Sequence, residues 1–485
     1  MRRQSHDASM TLPRQGISAH PIQSVVVVGG GLAGLSASCA LADSGFRVQL
    51  IERRPYLGGR ASSYRHPGTE EVIDNCQHVL LGHCVNLLDL YRRLGVGQAV
   101  RWFDRLTFLE PGGARSVVQP SLLPAPFHSA PSFLRARAFS LADKLAIARG
   151  MSAFLRGLPP DSEGSFDGWL ARHGQTRGAI EHFWKPVMIS ALNEDLDCIS
   201  THYAGQVIRK SLLCSPAAGR MGIPVIPLSD LYGRAVDYLQ ARGGRVELRA
   251  AACGFELSEH GRQWSVRTEE KRFTADAVIF ALAFENMSRL LPALPENPEA
   301  DKLKTALAQF AHSPITGIHL WFDREITDLD HAILLDATIQ WIFHKSRLQP
   351  ERRGRAGSYV ELVVSASKSM VDMPRQQIID LALRELAGFI PAAADARLEK
   401  AVVVKEVRAT YSIRPGLDAL RPSSASPWPG AYLAGDWVAT GWPATMEGAV
   451  RSGYMAAEAV SREAGRPTRY LRPEIPASGL MRWLR

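Results

Sequence analysis

The chain has 485 residues, 46% of them hydrophobic and 22% charged, and a formal net charge of +9. This length and composition suit a large buried core shared by two interleaved domains. The basic residues are scattered and no segment resembles a nucleic-acid module. The charge therefore indicates solubility or attraction to an anionic membrane surface, and nucleic acid is excluded as a partner.

Residues 1–21 contain no apolar run, so they predict a disordered tail rather than a signal peptide. No segment reaches the roughly 18 consecutive apolar residues that a spanning helix requires. The few, widely spaced cysteines indicate a reduced compartment without disulfides. We therefore expect a cytoplasmic protein, and peripheral contact with the inner membrane stays open. The cysteines are Cys39, Cys76, Cys84, Cys198, Cys214 and Cys253.

Residues 24–52 predict a strand, a glycine-rich turn, a helix and a second strand that ends at Glu52. Gly29 permits the tight turn, Gly31 lets the backbone approach a pyrophosphate, and Gly34 lets helix and strand pack closely. The phosphates would lie on the N–H groups of the helix start, at Leu32 and Ala33. Glu52 would accept both ribose hydroxyls. This order of strand, glycine turn, helix, strand and acid predicts a dinucleotide site. A glycine-rich turn without a ligand is the alternative.

The segment after Glu52 contains Arg53 and then Gly58, Gly59 and Arg60. This pattern suits a loop that folds back over the same pyrophosphate and the isoalloxazine edge of a flavin. A polar turn with a surface arginine is the alternative.

Residues 430–453 favour the flavin. They predict a strand that ends at Gly435 and Asp436, followed by a small-residue helix. Asp436 can hydrogen-bond a ribityl or phosphate oxygen. The N–H groups of the helix start would face the flavin N1/O2 edge, where charge collects on reduction. The sequence therefore predicts FAD bound across both halves of the chain. The residues of the predicted helix start that would contact it are Thr445, Met446, Glu447 and Ala449.

These segments resemble the FAD-dependent amine oxidase / phytoene desaturase superfamily over nearly all of residues 22–465. Residues 73–84, Ile-Asp-Asn-Cys-Gln-His-Val-Leu-Leu-Gly-His-Cys, resemble the hydroxysqualene dehydroxylase family, also called squalene-associated FAD-dependent desaturases. The resemblance implies a Rossmann-like FAD-binding domain with a doubly wound sheet, interleaved with an α+β substrate-binding domain. It also implies backbone contact with the adenine around Ala252, for which an ordinary core strand is the alternative.

The implied reaction removes the hydroxyl of hydroxysqualene as water and delivers hydride from reduced FAD, giving squalene for hopanoid synthesis. Asp74 and His78 are the candidate proton donors, although Asp74 could equally be a structural cap. Tyr411, Trp437 and Trp442 could line an apolar pocket or belong to the core. An external electron donor or reductase is implied, because the chain has a single dinucleotide fingerprint. A carotenoid-type desaturase, an amine or protoporphyrinogen oxidase and a non-redox prenyl carrier remain alternatives.

The predicted FAD-binding segments are 22–84, 244–289 and 416–465, the substrate-binding segments are 85–243 and 290–415, and residues 466–485 form a C-terminal tail. Residues 120–139 combine prolines, arginines and large apolar side chains. They suit either a loop that rests on a bilayer and admits an apolar substrate or a loop packed on its own domain. Cys76, His78, His83 and Cys84 are close in sequence, but no CxxC or HExxH spacing frames them. Core or cofactor contacts are therefore favoured over a metal site.

Overall fold

The computed structural model describes residues 22–258, 263–354 and 356–484. The predicted tail 1–21 and a turn expected at His260 and Gly261 lie outside these residues. The strands, in chain order, are β1 (Ser24–Val28), β2 (Arg47–Ile51), β3 (Ser63–Arg65), β4 (Val72–Asp74), β5 (Leu80–Leu81), β6 (Val100–Phe103), β7 (Leu106–Leu109), β8 (Arg115–Val118), β9 (Met221–Pro224), β10 (Arg245–Glu247), β11 (Gly254–Leu257), β12 (Trp264–Arg267), β13 (Arg272–Ala275), β14 (Ala277–Ala281), β15 (His312–Phe322), β16 (His331–Leu334), β17 (Trp341–His344), β18 (Ser358–Ser365), β19 (Leu398–Tyr411) and β20 (Ala431–Ala434).

The helices are, in the same order, α1 (Leu32–Asp43), α2 (Val85–Arg93), α3 (Ala130–Arg135), α4 (Leu141–Ser152), α5 (Phe166–Arg172), α6 (Arg177–Ala179), α7 (Lys185–Leu192), α8 (Thr201–Val207), α9 (Pro216–Gly219), α10 (Leu228–Gly233), α11 (Ala235–Gln240), α12 (Phe284–Leu290), α13 (Ala300–Leu307), α14 (Lys345–Leu348), α15 (Arg375–Phe389) and α16 (Met446–Glu463). None of the helices in the described ranges is long and apolar enough to cross a bilayer.

A parallel sheet of order β10-β2-β1-β14-β20 forms the first centre of the fold. One face packs against α1 and α16, and the antiparallel sheet β11-β12-β13 covers the other. Both faces are thus buried, which explains why the strand residues Val25–Val28 are continuously apolar. The predicted strand–helix–strand unit and the strands that return to the sheet after residue 244 are confirmed.

Close backbone approach holds α1 in place. A Cβ added at Gly34 would lie 1.9 Å from the carbonyl oxygen of Gly29, and one at Gly453 would lie 2.1 Å from the carbonyl oxygen of Ala33. Helix α1 therefore touches the turn after β1 on one side and helix α16 on the other. The Ser36 hydroxyl also donates to the carbonyl of Val450 in α16, at 3.1 Å.

The second centre is a mixed seven-stranded sheet of order β19-β15-β18-β17-β16-β7-β8. The long helix α15 packs on one face of this sheet through an apolar cluster. The opposite face lies against β4 and the residues that follow it. The sequence also predicts strands at 316–322 and 359–365, which lie within β15 and β18, and a helix at 141–155, of which α4 forms residues 141–152. The α/β fold with an α+β second domain is thus confirmed.

Residues outside the predicted FAD-binding segments also pack in the core of the parallel sheet. Leu87 and Leu90 of α2, Leu231 of α10 and Leu239 of α11 are fully buried against this sheet. Tyr470, in the predicted tail 466–485, is buried in the same cluster. Both ends of segment 85–243 therefore pack in the core around the parallel sheet.

We expect Gly34→Ala to lower the free energy of unfolding by about 3 kcal/mol or more, because its methyl group would overlap a backbone oxygen that cannot move independently. Gly388→Ala is the matched control, since a Cβ there meets no atom within 4 Å. That change should be neutral or stabilising by roughly 0.5–1 kcal/mol in helix α15. Thermal and denaturant unfolding would measure both. Equal stability of the two variants would contradict the close packing of α1.

Candidate functional site

The turn after β1 has the geometry that the glycine pattern predicts. Gly29 has a φ of +110°, and its N–H donates to the carbonyl of Ile51 at 2.8 Å. Helix α1 starts after Gly31, and no side chain caps it. The N–H groups of Leu32 and Ala33 in the first helical turn have no intrahelical acceptor, so they can bind an anion.

Glu52 connects this turn to the loop that follows β2. Its Oε2 accepts the Gly30 N–H at 2.6 Å, and its Oε1 accepts the Arg54 N–H at 2.8 Å. The carboxylate is buried at the carboxyl end of the sheet, where each oxygen keeps a lone pair for a further donor. Ribose hydroxyls are donors of the right kind. The Ala250 N–H donates to the Glu52 carbonyl at 2.9 Å, which brings the segment with half-buried Ala252 alongside.

The second glycine pair lies directly on the first turn. The Gly58 N–H donates to the Gly30 carbonyl at 2.9 Å. Gly59 has a φ of +63°, and a Cβ there would lie 2.9 Å from the Cα of Gly31. By contrast, a Cβ at Gly31 would meet no atom closer than 3.8 Å. The two loops thus form a cradle of bare backbone that any side chain would narrow.

The arginines of this loop differ in what they contact. Arg54 Nη1 donates to the Gly59 carbonyl at 2.8 Å and so fixes the cradle. Arg53, the residue expected to bind the cofactor, is exposed. Arg54 is not predicted from the sequence, because two neighbouring arginines are indistinguishable without the direction of their side chains.

Arg60 joins the two ends of the chain. Its Nη2 lies 2.6 Å from Asp436 Oδ1, and its Nη1 donates to the Ala409 carbonyl at 3.2 Å. Burial would lower the pKa of the guanidinium, but the Asp436 carboxylate outweighs burial and raises that pKa. The N–H of Gly435, the residue before Asp436, donates to Ser452 Oγ of α16 at 2.8 Å. The turn after β20 is therefore held against the glycine loop.

Helix α16 starts where the sequence predicts. Thr445 is its N-cap, and the Thr445 hydroxyl accepts the Gly448 N–H at 3.1 Å. The first-turn N–H groups of Met446 and Glu447 have no intrahelical acceptor and can face a flavin edge. The N–H of Ala449 is already bonded to the Thr445 carbonyl.

The Glu447 side chain has a different task from its backbone. Its carboxylate accepts the Asn86 side-chain amide at 2.7 Å and the Leu87 N–H at 2.8 Å, at the start of α2. Burial raises the pKa of Glu447. The carboxylate therefore caps α2, and a cofactor contact of Glu447 would come from its main chain.

Asp74 is buried in β4 with several donors. Its Oδ1 accepts the Ser63 hydroxyl at 2.5 Å, and its Oδ2 accepts Lys345 Nζ at 2.8 Å. Burial would raise the pKa of Asp74, but Lys345 and Ser63 hold it below its ordinary value. A carboxylate stabilised in this way suits a structural role better than proton donation.

His78 is also a poor proton donor in this geometry. Its Nδ1 lies 2.8 Å from the Cys76 carbonyl, which can only accept, so Nδ1 carries the hydrogen. Burial lowers the pKa of His78. The imidazole is therefore neutral, with Nε2 as an acceptor. Asp74 and His78 lie near Asn75, whose side chain contacts the loop that contains Gly58, Gly59 and Arg60. Their catalytic role stays a prediction.

The aromatic residues expected around the pocket are all buried. Trp437 Nε1 donates to the Leu282 carbonyl at 2.7 Å, which makes it a core anchor. The Trp442 ring lies 5.2 Å from the His83 ring. The Tyr411 hydroxyl has no hydrogen-bond partner within the described part of the chain, so it remains available to a ligand.

The six cysteines are all free, and Cys39, Cys76 and Cys84 are buried. Across the described ranges, no group of three or more His, Cys, Asp or Glu side chains is arranged to hold a metal ion. His83 and Cys84 instead face core neighbours, and burial lowers the pKa of His83 to about 4.

We expect Arg54→Ala to weaken FAD retention about tenfold, because losing a charge-assisted hydrogen bond frees the Gly59 turn. Arg53→Ala, in the neighbouring exposed residue, should retain FAD as the unchanged chain does. The measurement is the ratio of flavin to protein absorbance after gel filtration, with fluorescence titration of the flavin-depleted protein. The reverse order of the two variants would assign the contact to Arg53.

The chain is similar to known proteins over most of its length. Residues 32–461 match the family model of the flavin containing amine oxidoreductases. The chain is 28% identical over 475 residues to 15-cis-phytoene desaturase of Synechococcus elongatus, with 91% of this chain and 98% of the relative covered. It is 27% identical over 484 residues to a probable zeta-carotene desaturase of that organism, with 90% and 98% covered.

Solved structures share the fold at lower identity. An oxidoreductase from Methanosarcina mazei gives a TM-score of 0.69 at 17% identity, covering 89% of this chain and 98% of that one. Cyclohexylamine oxidase from Brevibacterium oxydans gives 0.63 at 17% identity, with 92% and 100% covered. The glycine cradle, Glu52 and the first-turn N–H groups of α1 and α16 fit the phosphates, ribose and flavin of FAD. The protein is therefore an FAD-dependent oxidoreductase and belongs to the flavin containing amine oxidoreductase family.

Proposed function

We propose that this enzyme acts on a long isoprenoid chain. The observation that supports this substrate class is the overlap with phytoene and zeta-carotene desaturases, which extends over 90% or more of the chain. Phytoene and zeta-carotene are long isoprenoid hydrocarbons, and a pocket for such a chain needs apolar and aromatic lining.

Within this class we propose the reductive removal of the hydroxyl of hydroxysqualene, giving squalene. Residues 73–84 support this reaction through their resemblance to hydroxysqualene dehydroxylases. Bound FAD would supply a hydride at N5, and the residues around it would orient the substrate and exclude water. The names of the relatives favour a second candidate, desaturation, in which the substrate gives up a hydride instead. The same cradle, Glu52 and Arg60–Asp436 pair would hold FAD for either reaction.

Anaerobic single turnover separates the two reactions. We expect the dithionite-reduced enzyme to reoxidise when hydroxysqualene is added and to form squalene in a 1:1 ratio to flavin, because two electrons move per hydroxyl removed. Flavin absorbance near 450 nm and extraction of the products would follow it. If reduced enzyme leaves hydroxysqualene unchanged while oxidised enzyme bleaches with phytoene, the desaturase is the correct assignment. An external reductant would then be unnecessary for the first half-reaction.

We also propose that the chain lies on an anionic membrane, from which the substrate enters. Phe133 and Phe139 of the 120–139 loop pack inward, but four of its large apolar side chains are exposed. Others join them from α4 and the C-terminal segment. The exposed residues, here called the apolar surface, are Leu122, Leu123, Phe127, Leu134, Leu141, Leu145, Leu480 and Trp483.

The C-terminal segment is tied directly to this loop. The Leu480 N–H donates to the Ala125 carbonyl at 2.8 Å, which places Trp483, 84% exposed, on the same side of the molecule. Between residues 120 and 160 the sequence has five cations and a single acid, Asp143, which is buried. Large apolar side chains surrounded by cations are typical of a surface that binds anionic lipid.

We expect the double variant Leu122→Ser with Trp483→Ser to bind vesicles at least about tenfold more weakly, because each change removes roughly 1.5–3 kcal/mol of apolar burial. Val407→Ser, which removes an exposed apolar residue outside the apolar surface, is the control. Co-sedimentation with phosphatidylglycerol/phosphatidylcholine vesicles at low and high salt would measure binding. Failure of the unchanged chain to sediment with these vesicles would contradict membrane contact.

A further inference from the structure

A buried polar cluster lies where β18 meets α14 and the end of β4. Lys345 Nζ donates to Asp74 Oδ2 at 2.8 Å and to Gln77 Oε1 at 2.7 Å, and it lies 3.3 Å from Glu361 Oε2. The Lys345 and Glu361 side chains are 1% and 0% exposed. One cation thus faces two carboxyl groups away from solvent. Such an arrangement favours a proton on one of the two carboxyls.

Gly317 in β15 leaves an empty position beside this cluster. A Cβ built there would lie 3.5 Å from the main-chain oxygen of Asn75, 3.7 Å from Glu361 Oε1 and 3.7 Å from His319 Nε2. Within the described ranges, Glu361 Oε1 and His319 Nε2 have no hydrogen-bond partner, whereas Glu361 Oε2 faces Lys345 Nζ at 3.3 Å. Three polar atoms therefore lie within van der Waals contact of a position that has room for one small group. A hydroxyl group could satisfy them.

Asn75 lies between this position and the loop that contains Gly58, Gly59 and Arg60. The Asn75 side-chain amide donates to the Arg60 carbonyl at 2.8 Å, and its Oδ1 accepts the Ser62 N–H at 3.2 Å. The main chain of Asn75 thus separates the loop that holds Asp436 from the position beside Gly317.

We propose that Glu361 is the proton donor to the leaving hydroxyl of the isoprenoid alcohol, with that hydroxyl seated beside Gly317. This role rests on the proposed dehydroxylation. The C–O bond breaks with its electron pair on oxygen, and the proton of the Glu361 carboxyl joins that oxygen to form water. The allylic carbon accepts a hydride, two electrons and a proton, from reduced flavin. An external two-electron reductant of the reduced nicotinamide class restores the flavin, and solvent reprotonates Glu361.

The charges around Glu361 support a protonated carboxyl. The pKa of Glu361 is raised to about 7, because burial and the Asp74 carboxylate raise it by more than Lys345 and the main chain of Gln77 lower it. Burial and Lys345 lower the pKa of His319 to about 3, so the imidazole is neutral. The titratable groups that face Glu361 from the surrounding elements are Lys345, Asp74, His319, Tyr359 and Cys76.

Infrared spectroscopy can detect this proton without turnover. In the FAD-bound enzyme we expect a protonated-carboxyl band that disappears between about pH 6 and 8 and is missing in Glu361→Gln. Asp74→Asn removes a negative charge beside Glu361, so the same band should disappear at lower pH. A spectrum without any band that depends on Glu361 in this range would overturn the proposal.

Single turnover tests the catalytic role. We expect Glu361→Gln to slow squalene formation by roughly 10²–10³-fold while it still binds FAD and hydroxysqualene, since glutamine is isosteric but cannot donate this proton. The unchanged enzyme should slow as pH rises through about 7, as Glu361 loses its proton, and the variant should lose this dependence. Glu399→Gln, an exposed residue of the same sheet, is the control.

The outcomes separate this role from the proposed function. Squalene formation by the unchanged enzyme together with an unimpaired Glu361→Gln variant would overturn the role of Glu361 and leave the dehydroxylase assignment standing. An unchanged enzyme that forms no squalene would overturn both. Slow turnover with the pH dependence retained would indicate a structural effect of the substitution, and that also contradicts proton donation.

Discussion

The ion pair between Arg60 and Asp436 is the contact on which the cofactor site depends. It joins a loop near the start of the chain to a turn near its end, and the Asp436 side chain is only 6% exposed. Removing Arg60 would leave the buried Asp436 carboxylate without its partner, which costs far more than losing a surface pair. The starts of α1 and α16 face the same region because this pair and the Gly435–Ser452 hydrogen bond hold the two halves together.

The site also requires glycines, because their backbone carries no side chain. At Gly29, Gly34 and Gly59 a side chain would overlap a neighbouring backbone atom, whereas Gly31 has open space before it. Glu52 is the carboxylate that we expect to orient a ribose, and the N–H groups of Gly30 and Arg54 that donate to it fix it in place. The flavin contributes the redox chemistry, so the chain needs only to bind, to orient and to exclude water.

In the proposed dehydroxylation, the groups that act on the substrate lie on the other side of Asn75. Apolar clusters lie on the seven-stranded sheet on the side of β4, and the buried Lys345–Asp74–Glu361 group lies beside them. A hydrocarbon needs no such group, whereas an alcohol that leaves as water needs a proton. The apolar surface built from the 120–139 loop, α4 and the C-terminal segment would suit a substrate dissolved in lipid.

The sequence by itself determined the parts of the site that are local. Strand β1, the glycine turn, α1, β2 and the start of α16 follow from short-range patterns, because turn geometry and helix capping depend on neighbouring residues. The tertiary structure alone decided that Arg54 rather than Arg53 points inward, that Glu447 caps α2, and that Tyr470 and α2 pack in the first domain. It alone brought Lys345 and Glu361 to Asp74, because those residues lie on strands and helices that are distant in sequence and meet only when both sheets have formed.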